Sequence, residues 1–168
     1  MWAARSSNDM IGTLSKDASE ALLLSASVGR IGCTDSYRTY VVPIQYVYDG
    51  QFIYAHAVEG MKIHMMRKNP SVCFEVDEIK DVHHWKSVIV WGRYDELKNE
   101  YARYNTLLLF AKKSVQLKIS PNAIPPPIDI GNDQPLEKAS IRPVIFRIII
   151  EEMTGRFENM LPEASTGK

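Results

Sequence analysis

The stretch YVVPIQYVYDGQFIYAHA, residues 40–57, restricts the fold more than any other part of the chain. Two runs of β-branched and aromatic residues flank Asp49-Gly50, a dipeptide suited to the positive φ angles of a tight turn, so the stretch predicts a β-hairpin. Tyr40, Tyr46, Tyr48, Phe52 and Tyr54 then fall at core or cross-strand positions. Pro43 interrupts the first run. It has no N–H to give a ladder, so its strand must lie at an edge, bulge or break there, leaving a gap that a ligand could occupy.

The rest of the chain builds around this hairpin. Ser15 or Asp17 is placed to cap a helix through ASEALLLSA, with Leu22, Leu23 and Leu24 toward a core. Val28 to Thr34 reads as a short strand. GMKIHMMRK, residues 60–68, spaces Met61, Met65 and Met66 as one face of a helix that Asn69-Pro70 stops. SVCFEVDE and WKSVIVWGRYDEL are strands, and EYARYNTLLLFAKKSV is an amphipathic helix. Residues 119–139 contain Pro125 to Pro127 and predict a loop insert, and RPVIFRIIIEEMTGRFE predicts a last strand with a turn at Thr154-Gly155. Residues 1–15 look loose. Most strands are joined by short turns, which favours a mainly β fold: an antiparallel sheet closed into a barrel with helices packed outside. A chain of 168 residues fits a single domain.

Composition excludes several classes of function. With 20 Lys+Arg against 20 Asp+Glu, the chain lacks the basic surplus of a general nucleic-acid binder. Cys33 and Cys73 form neither a disulfide framework nor a CxxC metal site, and both read as small hydrophobes in strands. No apolar run approaches the ~20 residues that span a membrane. The polar N-terminus is no secretory signal, so the expected location is the cytoplasm. His83-His84 would point to opposite faces of a strand, and no carboxylate matches the spacing of His56 and His64, so no metal site is expected. No GxSxG, HExxH, P-loop or GxGxxG is present.

The junction between the hairpin and the next helix is more informative. Gly60 lies where strand gives way to helix, and is expected to let the chain turn. The first helical turn has free N–H groups and partial positive charge, which favour an anion. Lys62 in that turn adds a full charge, and His56 at the strand end can donate a hydrogen bond. Arg67 need not share the face of Lys62. These residues fit a phosphate site, but a solvated lysine and a structural histidine fit them too.

YVVPIQYVYDG, YAH, GMK, NPSVCFEV, SVIVWGR and a terminal TG occur in this order. Together they resemble the FMN-binding split β-barrel of the pyridoxamine 5'-phosphate oxidase-like superfamily, and most of all its nitroimidazole-resistance branch. The resemblance covers roughly residues 20–155, apart from the proline-rich insert. It implies a homodimer with FMN at the subunit interface; FAD is admitted by the same fold, its adenylate projecting outward. By position, the backbone of Val41, Val42, Pro43, Ile44, Gln45 and Tyr46 would run along the flavin. His56, Ala57, Met61 and Lys62 would hold the phosphate and ribityl chain. Ser87 would contact FMN, with Trp91 and Arg93 reaching the site from the other subunit.

The implied activity is that of an FMN-dependent oxidoreductase, reduced by NAD(P)H and passing electrons to a nitro-aromatic or related acceptor. His56 is then either a ligand to the phosphate or a proton donor to the acceptor. Oxidases of pyridoxamine phosphate carry arginine where Val41 stands and Ser-Arg-Lys where Gly60-Met61-Lys62 stands, and the C-terminal segment lacks their basic substrate motif. Oxidation of vitamin B6 is therefore not expected. Alternatives of the same fold are a non-catalytic flavin or haem binding and storage module, or a structural dimer with an empty pocket.

Overall fold

A computed structural model describes residues 11–116 and 143–159. The chain forms β1 (Ile11–Thr13), α1 (Lys16–Ser25), β2 (Val28–Thr34), β3 (Thr39–Tyr48), β4 (Phe52–Ala57), α2 (Met61–Lys68), β5 (Ser71–Asp81), β6 (His84–Glu96), α3 (Glu100–Gln116) and β7 (Val144–Asn159). The proline-rich stretch at 119–139 and residues 1–10 fall outside the described residues. No helix among those residues is long and apolar enough to cross a membrane.

Every strand pairing is antiparallel, in the order β1-β7-β4-β3-β2-β5-β6, and β6 also pairs with β7 to close the ring. β7 is the seam. One edge runs along β6, from Phe146 against Glu96 to Asn159 against His84. Its other edge serves β4 through residues 144–149 and β1 through residues 156–158. At the bulge beside Gly92 the seam strands approach so closely that a Cβ there would lie 2.3 Å from the Ile149 carbonyl oxygen. The interior is filled by Ile31, Tyr46, Ile53, Phe74, Val76, Val88, Val90, Phe146 and Ile148, closed at one end by Leu22 and Leu23 of α1.

Local chemistry explains most boundaries. Ser15 Oγ accepts from Ala18 N at 3.2 Å and starts α1, which decides between the two candidate caps. In the hairpin turn Asp49 Oδ1 accepts from the N–H groups of Gln51 and Phe52, both at 2.8 Å, and Gly50 takes φ +97°. After α2, Asn69 Oδ1 accepts from Ser71 N while its amide reaches the Thr34 carbonyl.

Five expectations are corrected. Part of the loose N-terminus is ordered, because β1 adds to the free edge of β7. Leu24 is 53% exposed: residues a third of a turn apart cannot all face one core, and Leu22 and Leu23 take it. Thr154-Gly155 is no turn, since both residues stay in the β6–β7 ladder opposite Ile89 and Val88. His83 and His84 sit at the tip of the β5–β6 hairpin, His83 in the turn itself, with Asp81 bonded to both. Gly60 has φ 176°, extended backbone open to any residue, and a Cβ there would meet only the Val58 carbonyl at 3.9 Å.

Candidate functional site at the split between β3 and β4

β3 and β4 pair only from Tyr46–Ala55 to Tyr48–Ile53. Beyond that point they part. β4 continues along β7, with His56 opposite Ile145 and Ala57 opposite Val144. β3 continues along β2 alone, and among the described residues no strand pairs with Thr39–Gln45 on the other side.

Two bonds at opposite ends of the β2–β3 ladder fix its phase: Tyr46 N to Ser27 O at 3.0 Å and Asp35 N to Arg38 O at 3.1 Å. By the alternation of an antiparallel ladder, Tyr40, Val42 and Ile44 also turn their backbone groups to β2. Val41, Pro43 and Gln45 turn theirs to the open edge. The N–H that Pro43 lacks would have pointed into the gap, so proline costs the ladder nothing here. The edge that the sequence requires is present.

The second wall of this crevice is the β4–α2 junction. α2 starts with no side-chain cap and no acidic residue in its first turn, which leaves the leading N–H groups free. Lys62 is half-buried and makes no hydrogen bond or ion pair among the described residues. His56 lies on the outer face of β4 under Phe110 of α3, their rings edge to face at 4.9 Å. Its Nε2 is buried with no hydrogen-bond partner. Burial first, and then the charge of Lys62, lower the His56 pKa from its ordinary 6.5, so the imidazole is neutral at pH 7. Lys62 also bears on the buried Cys33 thiol, opposing the upward push that burial gives it.

The His56 shift has a measurable consequence. In the unfolded chain the imidazole returns to about 6.5, so between the folded value and 6.5 the unfolded state binds more protons. The stability that His56 contributes is complete above 6.5 and is lost as pH falls through the folded value. Urea midpoints should therefore drop further between about pH 8 and about pH 5 in the wild type than in His56→Phe. Equal drops would mean that the imidazole is not held neutral.

The structure brings together some of the candidate residues and separates others. Val41, Pro43 and Gln45 turn their backbone to the open edge, and His56, Met61 and Lys62 belong to the β4–α2 junction beyond the parting, whereas the Ala57 side chain is buried in the core. Val42, Ile44 and Tyr46 are on the same strand, but Ile44 and Tyr46 bury their side chains in the core, and the Tyr46 hydroxyl is committed to the Leu23 carbonyl at 2.8 Å. Met61 is 47% exposed at the start of α2, so Ile63, Met65 and Met66 pack behind it in the expected role of the methionine face.

Ser87, Trp91 and Arg93 lie on the outer face of β6. β2 and β5 stand between them and β3, a separation of roughly 14 Å at about 4.8 Å per strand. Ser87 donates to Glu75 Oε1 at 3.2 Å, and Arg30 joins Glu75 and Asp77 at 3.3 and 2.7 Å. The outer face also carries an aligned row of Val41, Gly32, Cys73 and Trp91, with Val41 62% and Trp91 42% exposed. Cys33 points inward and Cys73 outward, so the two thiols are on opposite faces of the sheet.

Sequence reasoning placed the helix α3 but missed what its buried face holds. Arg103, Thr106, Phe110 and Ser114 form its buried face at helical spacing. Arg103 donates to the carbonyls of Leu97 and Pro143, tying the helix start to the ends of β6 and β7. Farther along, the Lys113 ammonium donates to the Ala26 carbonyl at the end of α1 and lies 4.8 Å over the Tyr46 ring, and burial pushes its pKa down. The i, i+3, i+7, i+11 spacing is visible in the sequence, but three of its four positions are polar and hide it from a hydrophobic pattern.

A six-stranded antiparallel ring that parts between β3 and β4, with the uncapped start of α2 following β4 at the parting, defines a split-barrel protein. The family model for pyridoxamine 5'-phosphate oxidase matches residues 15–157, and the chain belongs to that family. It is 30% identical over 150 residues to an uncharacterised protein of Rhizobium meliloti (strain 1021), covering 87% of this chain and 94% of that one. A FAD-binding protein of Mesorhizobium loti superimposes with a TM-score of 0.67 at 32% identity, over 89% of this chain and 99% of that one. A Bacteroides thetaiotaomicron protein provisionally named for 5-nitroimidazole antibiotic resistance shares the fold, with a TM-score of 0.62 at 18% identity over 88% of both chains.

Proposed function

We propose that this chain is an FMN-dependent oxidoreductase that takes electrons from NAD(P)H and delivers them to a nitro-aromatic or related small acceptor. The observation that carries this reading is the set of unsatisfied groups around the split: the buried Nε2 of His56, the unpaired Lys62, the uncapped start of α2 and the bare backbone of β3. A phosphate meets the first three, and a flat heteroaromatic ring with hydrogen-bonding edges meets the fourth. Bound flavin supplies the electron transfer itself. The protein binds and orients. Lys62 and the N–H groups of α2 neutralise the phosphate, the neutral His56 donates from Nε2, and Phe110 keeps water from the imidazole. His56 is the phosphate ligand in this reading, with proton donation to the acceptor as its other use.

The working form is a homodimer of a cytoplasmic protein. The outer row from Val41 to Trp91 is apolar and exposed at both ends, and Ser87, Trp91 and Arg93 of the partner subunit then complete the site that one chain leaves open. FMN suits the local phosphate site, and the FAD-binding Mesorhizobium relative makes FAD the cofactor to compare with it.

Purified protein should be yellow, release FMN or FAD identifiable by mass, and bleach anaerobically with NADH or NADPH. Colour should return on adding a nitroimidazole. A colourless protein that takes up no added flavin would overturn the proposal. Tightly bound flavin that no nicotinamide bleaches would instead mark a carrier of the cofactor.

A further inference from the structure

Glu59 stands one residue before the N-cap of α2, beside a helix start that carries no side-chain cap. A carboxylate at that position is drawn to the free N–H groups of the first turn by the helix dipole. It is not found there. Its Oε1 lies back along the helix, accepting from Arg67 Nη1 and 3.0 Å from His64 Nε2. Arg67 is held from its other edge by Glu96 at the end of β6, with Nε to Oε2 at 2.7 Å and Nη2 to Oε1 at 2.9 Å. The Tyr94 hydroxyl donates to the same Glu96 Oε2 at 2.9 Å. A planar guanidinium gripped on two edges has one orientation, and so fixes where the Glu59 carboxylate can sit.

We propose that Arg67 is a positioning residue for the anion site: it holds the Glu59 carboxylate away from the start of α2 and so keeps the first-turn N–H groups free for the phosphate of a ligand. The identity of that ligand rests on the flavin reading above. Without Arg67, Glu59 is an anion tethered next to an uncapped helix start, at a local concentration that a free ligand does not match. It would occupy the N–H groups and repel an incoming phosphate. Lys62 attracts the ligand directly, whereas Arg67 acts by removing an internal competitor.

The test uses the full chain and three probes: FMN, riboflavin and inorganic phosphate. Arg67→Gln should weaken FMN by about fivefold at low salt, the scale of one partly exposed charge near a helix start, and leave riboflavin unchanged. Adding Glu59→Gln to that variant should restore FMN affinity. A purely structural role for Arg67 would weaken both flavins and would not be rescued, and either result overturns the proposal. Glu59→Gln alone leaves Arg67 on Glu96 and should bind FMN at least as tightly as the wild type; weaker binding also overturns it. Phosphate read through the backbone amide resonances of Met61 to Ile63 separates this proposal from the flavin reading. If wild type binds no flavin but those amides follow phosphate in the same order across the variants, only the flavin reading falls. If phosphate moves them in no variant, this proposal falls.

Discussion

Lys62→Ala is expected to weaken FMN binding by about 1.5–3 kcal/mol, the range of a charge-assisted hydrogen bond, or roughly ten- to a hundredfold in Kd. Lys62 makes no internal bond among the described residues, so its removal should leave the unfolding midpoint almost unchanged and act on the ligand alone. Titration of flavin fluorescence measures the loss, and riboflavin serves as the control because it has no phosphate to lose. A variant that binds FMN as tightly as the wild type would move the phosphate away from the β4–α2 junction. In this family that outcome would also remove the reason for reading Lys62, His56 and the helix start as one unit.

The second large effect belongs to the barrel interior. Phe74→Ala should cost about 3–5 kcal/mol, the usual range for emptying a fully buried aromatic site. Phe74 has no exposed surface and meets the Tyr46 ring edge-on at 4.8 Å and 70°. It also fills the space over Gly29, where a Cβ would lie 2.3 Å from its ring. The Tyr46 hydroxyl holds the Leu23 carbonyl, so the same cavity loosens the contact of α1 with the barrel. For a domain of this size the melting temperature should fall by about 10 °C. A loss below about 1 kcal/mol would mean that neighbouring side chains collapse into the space, which strands tied on both edges resist.

Much of the architecture was legible because its signals are local. Asp49-Gly50 set the hairpin, Asn69-Pro70 ended α2, and Pro43 required an edge that is found where β3 leaves β4. Signals that depend on distant partners were not legible. β1 exists because β7 has a free edge from residue 156 onward, and nothing within Ile11 to Thr13 announces that. Thr154-Gly155 has turn composition, yet β6 and α1 pack on both sides and keep it extended. The crevice was readable on the side built from consecutive residues, His56 to Lys62. Phe110 comes from a helix far along the chain, and Arg67 becomes informative only once Glu59 and Glu96 are seen to share it. Ser87, Trp91 and Arg93 face outward on β6, and one chain does not bring them to the split between β3 and β4.

β7 closes the barrel, and among the described residues it is the last strand of the chain. A nascent chain on the ribosome therefore holds β2 to β6 as an open sheet, its β4 and β6 edges both unpaired, until Val144 and the residues after it have emerged. Open edges of this kind pair readily with other chains, and closing contacts of such large sequence separation form slowly. The risk of aggregation thus persists until β7 has emerged, and a stop before Val144 leaves a curved sheet with no way to close.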